Sequence, residues 1–253
     1  MSNKPKNILN KEQQKKDFLQ IFSHELKTPL TPLMLSANML KNEKVFGALN
    51  PKQRKAVKTI NDCTDELNEL IRNIFYANKI DSNEIKYTMK EIRIDEIMNN
   101  VFDSTKNNIQ KNNITFENTT KDTGIIHGDP KIISQVLKYI INNALSFVTP
   151  NSGKIEINAS IKEKQVIFYV RDNGIGISED DKQNLFTRFY QQDTSLSRKH
   201  NGIGLSLSIC HGLITGMNGD IWFESEIGKG SIFYFSLPKF EFHEIFNPAF
   251  IDI

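Results

Sequence analysis

Phe22-Ser23-His24-Glu25-Leu26-Lys27-Thr28-Pro29-Leu30-Thr31 decides how the first third of this chain is read. Leu19, Phe22, Leu26, Leu30, Leu33, Ala37 and Leu40 recur at spacings of three and four, the signature of one core-facing side of a helix. His24 lies roughly 200° round from Phe22 at about 100° per residue and so points to solvent. Thr28 sits one turn above it on the same face, and the neighbouring Glu25 can reach an imidazole nitrogen. Such a surface suits a histidine that accepts a phosphoryl group. Taken alone it also describes an ordinary solvated helix face.

Working outward, Asn10 followed by Gln13 reads as the capped start of this helix, and Gly47 with Asn50-Pro51 ends the first apolar stripe. Pro29 and Pro32 fall inside it and are expected to bend it. Asn50-Pro51 opens a second helix in which Val57, Ile60, Thr64, Leu67, Ile71 and Ile74 repeat at three and four. Two such helices make a hairpin whose apolar stripe is too wide for one copy to cover. Pairing with a second copy as a four-helix bundle covers it, so a homodimer is expected.

A polar stretch from Asp81 to Lys90 reads as a linker, after which helix and strand patterns mix. Asp95 is expected to cap a helix carrying Met98, Val101, Phe102 and Ile109, followed by a short strand from Ile114 to Phe116. Asp129-Pro130 opens an apolar helix through Ile133, Val136, Leu137, Ile140, Ile141, Ala144 and Leu145. Strands follow at Lys154 to Ile161 and Gln165 to Arg171, then a loop-rich stretch to Asn201 and a helix opened by Gly202-Ile203-Gly204-Leu205. Strands at Asp220 to Glu224 and Gly230 to Leu237, with a glycine turn between them, complete an α/β sandwich: a mostly antiparallel sheet with helices on one face.

Bulk numbers exclude several classes. The 253 residues are 38% hydrophobic and 25% charged, ordinary globular values. A net charge of +2 gives no field that recruits nucleic acid or an anionic membrane. Cys63 and Cys210 lack metal-like spacing and read as reduced structural thiols. No stretch approaches the length of a membrane span and no signal peptide is visible, so the chain is expected to be soluble and cytoplasmic, either a short protein or the catalytic portion of a longer one.

Two glycine-bearing loops point to a ligand. Asp172-Asn173-Gly174-Ile175-Gly176 follows an almost wholly apolar strand. Its glycines let the backbone approach a flat group while the carboxylate accepts a hydrogen bond from an exocyclic amine, as on adenine; a plain hairpin turn is the alternative. Gly202 and Gly204 open a helix whose free amides can receive phosphate oxygens. Asn142-Asn143, within the apolar helix, offers a carboxamide oxygen to magnesium or is a satisfied structural amide.

The H-box S-H-E-L-K-T-P-L, an N-box-like helix, D-N-G-I-G-I, L-F-x-R-F-Y and G-I-G-L-S-L occur in this order between Phe18 and Leu237. In this the chain resembles two-component sensor histidine kinases. The resemblance implies residues 1–85 as a dimerisation and histidine phosphotransfer domain, 86–238 as an ATP-binding domain of the gyrase type, and 239–253 as a C-terminal tail. It implies His24 as phosphoacceptor, Glu25 as the group that takes or orients its proton, and Thr28 as a residue orienting water for dephosphorylation of a partner. It implies ATP and magnesium as cofactors, Asn143 as magnesium ligand, Asp172 as adenine contact, and Gly174, Gly176, Gly202, Gly204 and Leu205 as shaping the pocket. Phe186 and Phe189 are then anchors packed at the base of a lid, and the partner is a response regulator receiver domain.

Four positions depart from the family pattern: Tyr139, Ser146, Gln191 and Ser206. Two of them remove cations near a triphosphate, for which Arg198 and Lys199 could substitute or could be solvated loop charges. A catalytically weak or silent ATP-binding scaffold or phosphatase acting on a receiver is therefore the alternative, and a gyrase-like ATPase a further one. The tail from Lys239, with Phe240, Phe242, Phe246 and Phe250, is expected to pack on the ATP-binding domain or to be disordered, with partner docking as a further option.

Overall fold

The computed structural model describes residue 26, residues 28–110, 112–191 and 204–239, without the side chains at 107 and 108. His24, Glu25, Arg198, Lys199, Gly202 and Phe240–Ile253 lie outside the described residues, as does the expected helix start at Asn10. The chain forms two compact units. One comprises Met1–Ile85, Thr187–Tyr190 and Gly202–Ile209 as far as these are described; the other comprises the remainder.

In the first unit, α1 covers residues 28–39 and a short α2 covers Glu43–Phe46. Gly47 leaves α2 with φ +75°, a left-handed conformation that only glycine adopts without strain. The long α3, Pro51–Asp81, begins with a reciprocal capping box in which Asn50 and Gln53 exchange side-chain-to-backbone hydrogen bonds of 2.9 Å each. The apolar stripes are only half covered. Leu30 and Ala37 on α1 and Val57, Thr64 and Ile71 on α3 are buried, while Leu33, Leu40, Ile60 and Leu67 remain exposed.

The second unit is an α/β sandwich. Its strands β2 (Thr115–Asn118), β4 (Lys154–Lys162), β5 (Gln165–Asp172), β6 (Asp220–Glu226) and β7 (Gly230–Pro238) form one sheet in the order β2-β4-β5-β7-β6. β2 pairs with β4 in parallel and every other pair is antiparallel. Alternation assigns one face to the core. Ile157, Phe168, Val170, Phe233 and Phe235 point toward α4 (Ile94–Gln110) and α5 (Pro130–Phe147) and are at most 2% exposed. Phe168 and Phe235 stack at 4.7 Å, a pair worth about 1 kcal/mol beyond its buried area.

α5 starts where the sequence places it. Asp129 Oδ1 accepts hydrogen bonds from the backbone amides of Lys131 and Ile132, and Oδ2 accepts one from Thr88 N at 2.7 Å, joining the helix cap to the segment after Ile85. Several expectations need correction. Asp95 is not a cap: α4 already begins at Ile94, and Asp95 instead pairs with Arg93 at 3.0 Å. The strand expected at Ile114 begins one residue later. Two strands were not anticipated, β1 (Lys90–Arg93) and β3 (Ile125–Gly128), which form a separate antiparallel pair. A short helix, α6 (Glu179–Lys182), interrupts the loop-rich stretch, and α7 spans Ser206–Thr215, after Gly204 and Leu205.

Candidate functional site

β5 ends in Asp172 on the helix-facing side of the sheet, and the chain then turns under the end of α5. This is not a hairpin turn: β5 lies between β4 and β7, and the next strand in sequence, β6, is at the far edge. Asp172 is 6% exposed. Its Oδ1 accepts hydrogen bonds from Gly174 N at 2.8 Å and Ser231 N at 3.3 Å, whereas Oδ2 has no hydrogen-bond partner among the described residues. Burial dominates and pushes the carboxyl up to about 6, against the opposing pull of the two amides. A buried carboxylate with one oxygen open is placed to accept from a ligand N–H.

The glycines are required by close approach. A Cβ on Gly174 would lie 2.7 Å from Phe147 O and 2.8 Å from Asp172 Oδ1. At Gly176, where φ is +72°, it would lie 2.1 Å from Glu226 O. Ile175 N donates to Phe147 O at 3.3 Å and Gly228 N donates to Ile175 O at 2.8 Å, fixing the loop between α5 and the β6–β7 turn.

Asn143 is one helical turn before Phe147 and so shares the face of α5 that meets this loop. It is half-buried, and its carboxamide has no hydrogen-bond partner among the described residues. Asn142 is exposed, with its carbonyl taken by Ser146 Oγ at 3.0 Å. Tyr139, at the position where the family pattern has an asparagine, is 1% exposed and belongs to the core. The open carboxylate oxygen, the two glycines that follow it and the unpaired Asn143 amide fit a flat, amine-bearing ligand whose polar end takes an oxygen ligand from α5.

Phe186 rings with His211 at 5.9 Å and with Phe223 at 5.8 Å. Phe189 is not a packed anchor. It is 68% exposed with φ +62°, and its backbone N–H donates to Gly204 O at 2.9 Å. Gly204 has φ +71°, and a Cβ there would meet Tyr190 O at 2.4 Å; Leu205, next to it, is buried. Thr28 is exposed on α1. The sequence reading missed Ser231, whose amide is Asp172's second donor. It was hidden because the contact spans 59 positions, although a glycine turn leading directly into β7 was visible.

The sandwich, its aspartate and its glycine loop define a nucleotide-binding ATPase fold in a chain that also carries a helical unit. Residues 128–241 match the family profile described as histidine kinase-, DNA gyrase B- and HSP90-like ATPase, and residues 14–83 match the His Kinase A phospho-acceptor domain. The chain belongs to the two-component sensor histidine kinases. It is 31% identical over 239 residues to the sensor histidine kinase WalK of Bacillus subtilis, covering 92% of this chain and 38% of that protein. It is 30% identical over 229 residues to the circadian input-output histidine kinase CikA of Synechococcus elongatus, covering 89% of this chain and 30% of that protein. The chain thus spans about a third of the length of these relatives. Among solved structures, full-length ShkA in complex with AMPPNP aligns with TM-score 0.71 at 25% identity, over 88% of this chain and 46% of ShkA. The catalytic domain of the histidine kinase ThkA aligns with TM-score 0.53 at 29% identity, over 61% of this chain and 97% of that domain.

Proposed function

We propose that this chain autophosphorylates on His24 with ATP and passes the phosphoryl group to an aspartate of a response regulator receiver domain. The supporting observation is Asp172: a buried carboxylate with one oxygen open, followed by a glycine loop packed closely against the end of α5 and the β6–β7 turn, in a chain whose helical part carries the S-H-E-L-K-T-P-L motif. Residues 1–85 act as the dimerisation and phosphotransfer domain, 86–238 as the catalytic domain, and 239–253 as a tail. Exposed Leu33, Ile60 and Leu67 support a homodimer, since a second copy removes that surface from water. Use of ATP places the chain's work on the cytoplasmic side.

Asp172 Oδ2 accepts from the adenine amine, with Gly174 and Gly176 against the ring. Gly202, Gly204 and Leu205, with Arg198 and Lys199, serve the phosphates, and Phe186 supports the segment that leads to them. Asn143 is the protein ligand for magnesium, whose charge, when bound, neutralises phosphate oxygens. A neutral imidazole nitrogen of His24 attacks the γ-phosphorus. The bond from that phosphorus to the β–γ bridging oxygen breaks, ADP leaves, and Glu25 takes the proton from the other ring nitrogen. Thr28 orients water for dephosphorylation of the receiver.

Incubation with γ-labelled ATP and magnesium tests this. Base-stable, acid-labile label that disappears in His24→Gln is the expected result. No label would favour a silent scaffold, and free phosphate without label a gyrase-like ATPase.

A further inference from the structure

The sheet has a second face, turned away from α4 and α5. Strand register brings Asn158, Tyr169, Tyr234 and Trp222 into one row across it, and Ser160, Ile167, Ser236 and Asp220 into the next. Trp222 stacks on Tyr234 at 5.3 Å with 10° between the ring planes, and Tyr169 meets Tyr234 edge-on at 5.9 Å. At the end of this face, away from Asp172, lies a cavity of about 480 Å³ lined by Ile167, Ser236, Pro238, Asp220, Lys162 and Lys164. Tyr169, Trp222, Tyr234 and Ile167 are half-buried there, so part of each ring and of the isoleucine still meets water.

The chain itself supplies an occupant. β7 ends at Pro238 on the cavity's rim, and Lys239 N donates to Lys164 O at 2.8 Å, so the described chain ends at the hollow. They read Phe240-Glu241-Phe242-His243-Glu244-Ile245-Phe246-Asn247-Pro248-Ala249-Phe250-Ile251-Asp252-Ile253. This stretch carries four phenylalanines and three isoleucines and, among its charges, three acids and no lysine or arginine. Lys162 and Lys164 on the rim have no ion-pair partner among the described residues. Glu163 and Asp220 share the rim, so apolar burial and proximity argue more strongly than charge. Reach is ample. The Trp222 row is four residues back along β7, about 13 Å, against roughly 45 Å for fourteen extended residues.

We propose that residues 240–253 fold back over this outer face, their first phenylalanines entering the cavity beside Ile167 and Pro238 and the rest shielding the Trp222–Tyr234 stack. The tail then covers the sheet on the side that the helices leave open.

Trp222 is the single tryptophan of the chain, so its emission reports on that face alone. In the full chain, Phe240→Ala with Phe242→Ala should shift Trp222 emission to the red and raise acrylamide quenching about twofold as the indole meets water. A chain ending at Lys239, with unchanged far-ultraviolet circular dichroism, should do the same, and a peptide of residues 240–253 should reverse the change. Unaltered emission and quenching in both variants would overturn the proposal. So would a red shift in the unsubstituted chain on dilution, because it would assign the cover to a second copy.

Discussion

Arg188 and Asp81, 107 positions apart, form a two-pronged ion pair: Nη2 donates to Oδ1 at 2.6 Å, Nη1 to Oδ2, and Nη2 also reaches Ala77 O at 3.5 Å. The Asp81 carboxylate holds the guanidinium above its ordinary range, and the fork geometry suits a carboxylate at the last residue of α3. With the side chains 35% and 54% exposed, water screens the pair, and its worth is about 1 kcal/mol or less. Asp81→Asn and Arg188→Ala should each lower the unfolding free energy by that amount, and the double variant by no more than the larger single loss. Urea denaturation of the four proteins measures this; fully additive losses would show the two residues to be uncoupled.

Nucleotide affinity should depend on pH through Asp172. In the free protein burial raises this carboxyl from the ordinary 3.8 to about 6, which makes ionisation cost about 3 kcal/mol relative to the unfolded chain. Its contribution to stability is fully present below 3.8 and is lost as pH rises through about 6. Binding has the opposite sign, because an exocyclic amine needs the ionised acceptor. Calorimetric titration with a non-hydrolysable ATP analogue should therefore show affinity falling as pH drops from 7 to 5. Asp172→Asn should weaken binding at pH 7 by at least tenfold and flatten that profile. A wild-type slope surviving in the variant would mean that another group titrates.

What was legible from sequence follows from pattern length. The start of α5 could be placed to the residue because Asp129-Pro130 is a local cap and eight buried side chains repeat behind it. β4, β5 and β7 run eight or nine residues, enough for alternation to show. β1 and β3 have four residues each and find stability only by pairing with each other across more than thirty positions, which no local window contains. Asp95 misled because an acid early in a helix serves equally as cap or first-turn residue. In the site, Asp172 and the glycines were readable as a loop, but the Ser231 amide and the half-exposed face of α5 depend on tertiary packing.

Gly176→Ala should be more damaging than Gly174→Ala. Both would press a Cβ onto a backbone oxygen, but Gly176 meets Glu226 O at 2.1 Å against 2.7 Å between Gly174 and Phe147 O, and only Gly176 also needs φ +72°. A loss of about 2 kcal/mol or more with abolished nucleotide binding is expected at 176. Thermal denaturation with and without the ATP analogue separates the two effects. Equal stability of the two variants would show that the loop between α5 and the β6–β7 turn can shift freely.

The exposed stripe on the helical unit gives the dimer a test. Ile60 and Leu67 are 41% and 39% exposed on α3, between buried Val57, Thr64 and Ile71. A charge at either position costs little in a monomer, where the side chain already meets water, and much in a packed bundle interface. Ile60→Glu and Leu67→Glu should convert a dimer to a monomer in light scattering while circular dichroism is retained. A dimer that tolerates both charges would place the interface elsewhere.

Asn143 should act on magnesium rather than on the fold. Its carboxamide is half-buried and has no hydrogen-bond partner among the described residues, so Asn143→Ala should change stability by less than about 0.5 kcal/mol. The same oxygen, if it ligates the metal, is needed only when nucleotide and magnesium are both present. The variant should therefore retain the wild-type affinity for ADP in chelator and lose most of the gain in ATP-analogue affinity that magnesium confers. Asn143→Asp, which keeps an oxygen ligand and adds charge, should recover part of that gain. An equal loss with and without magnesium would instead place the residue against the nucleotide itself.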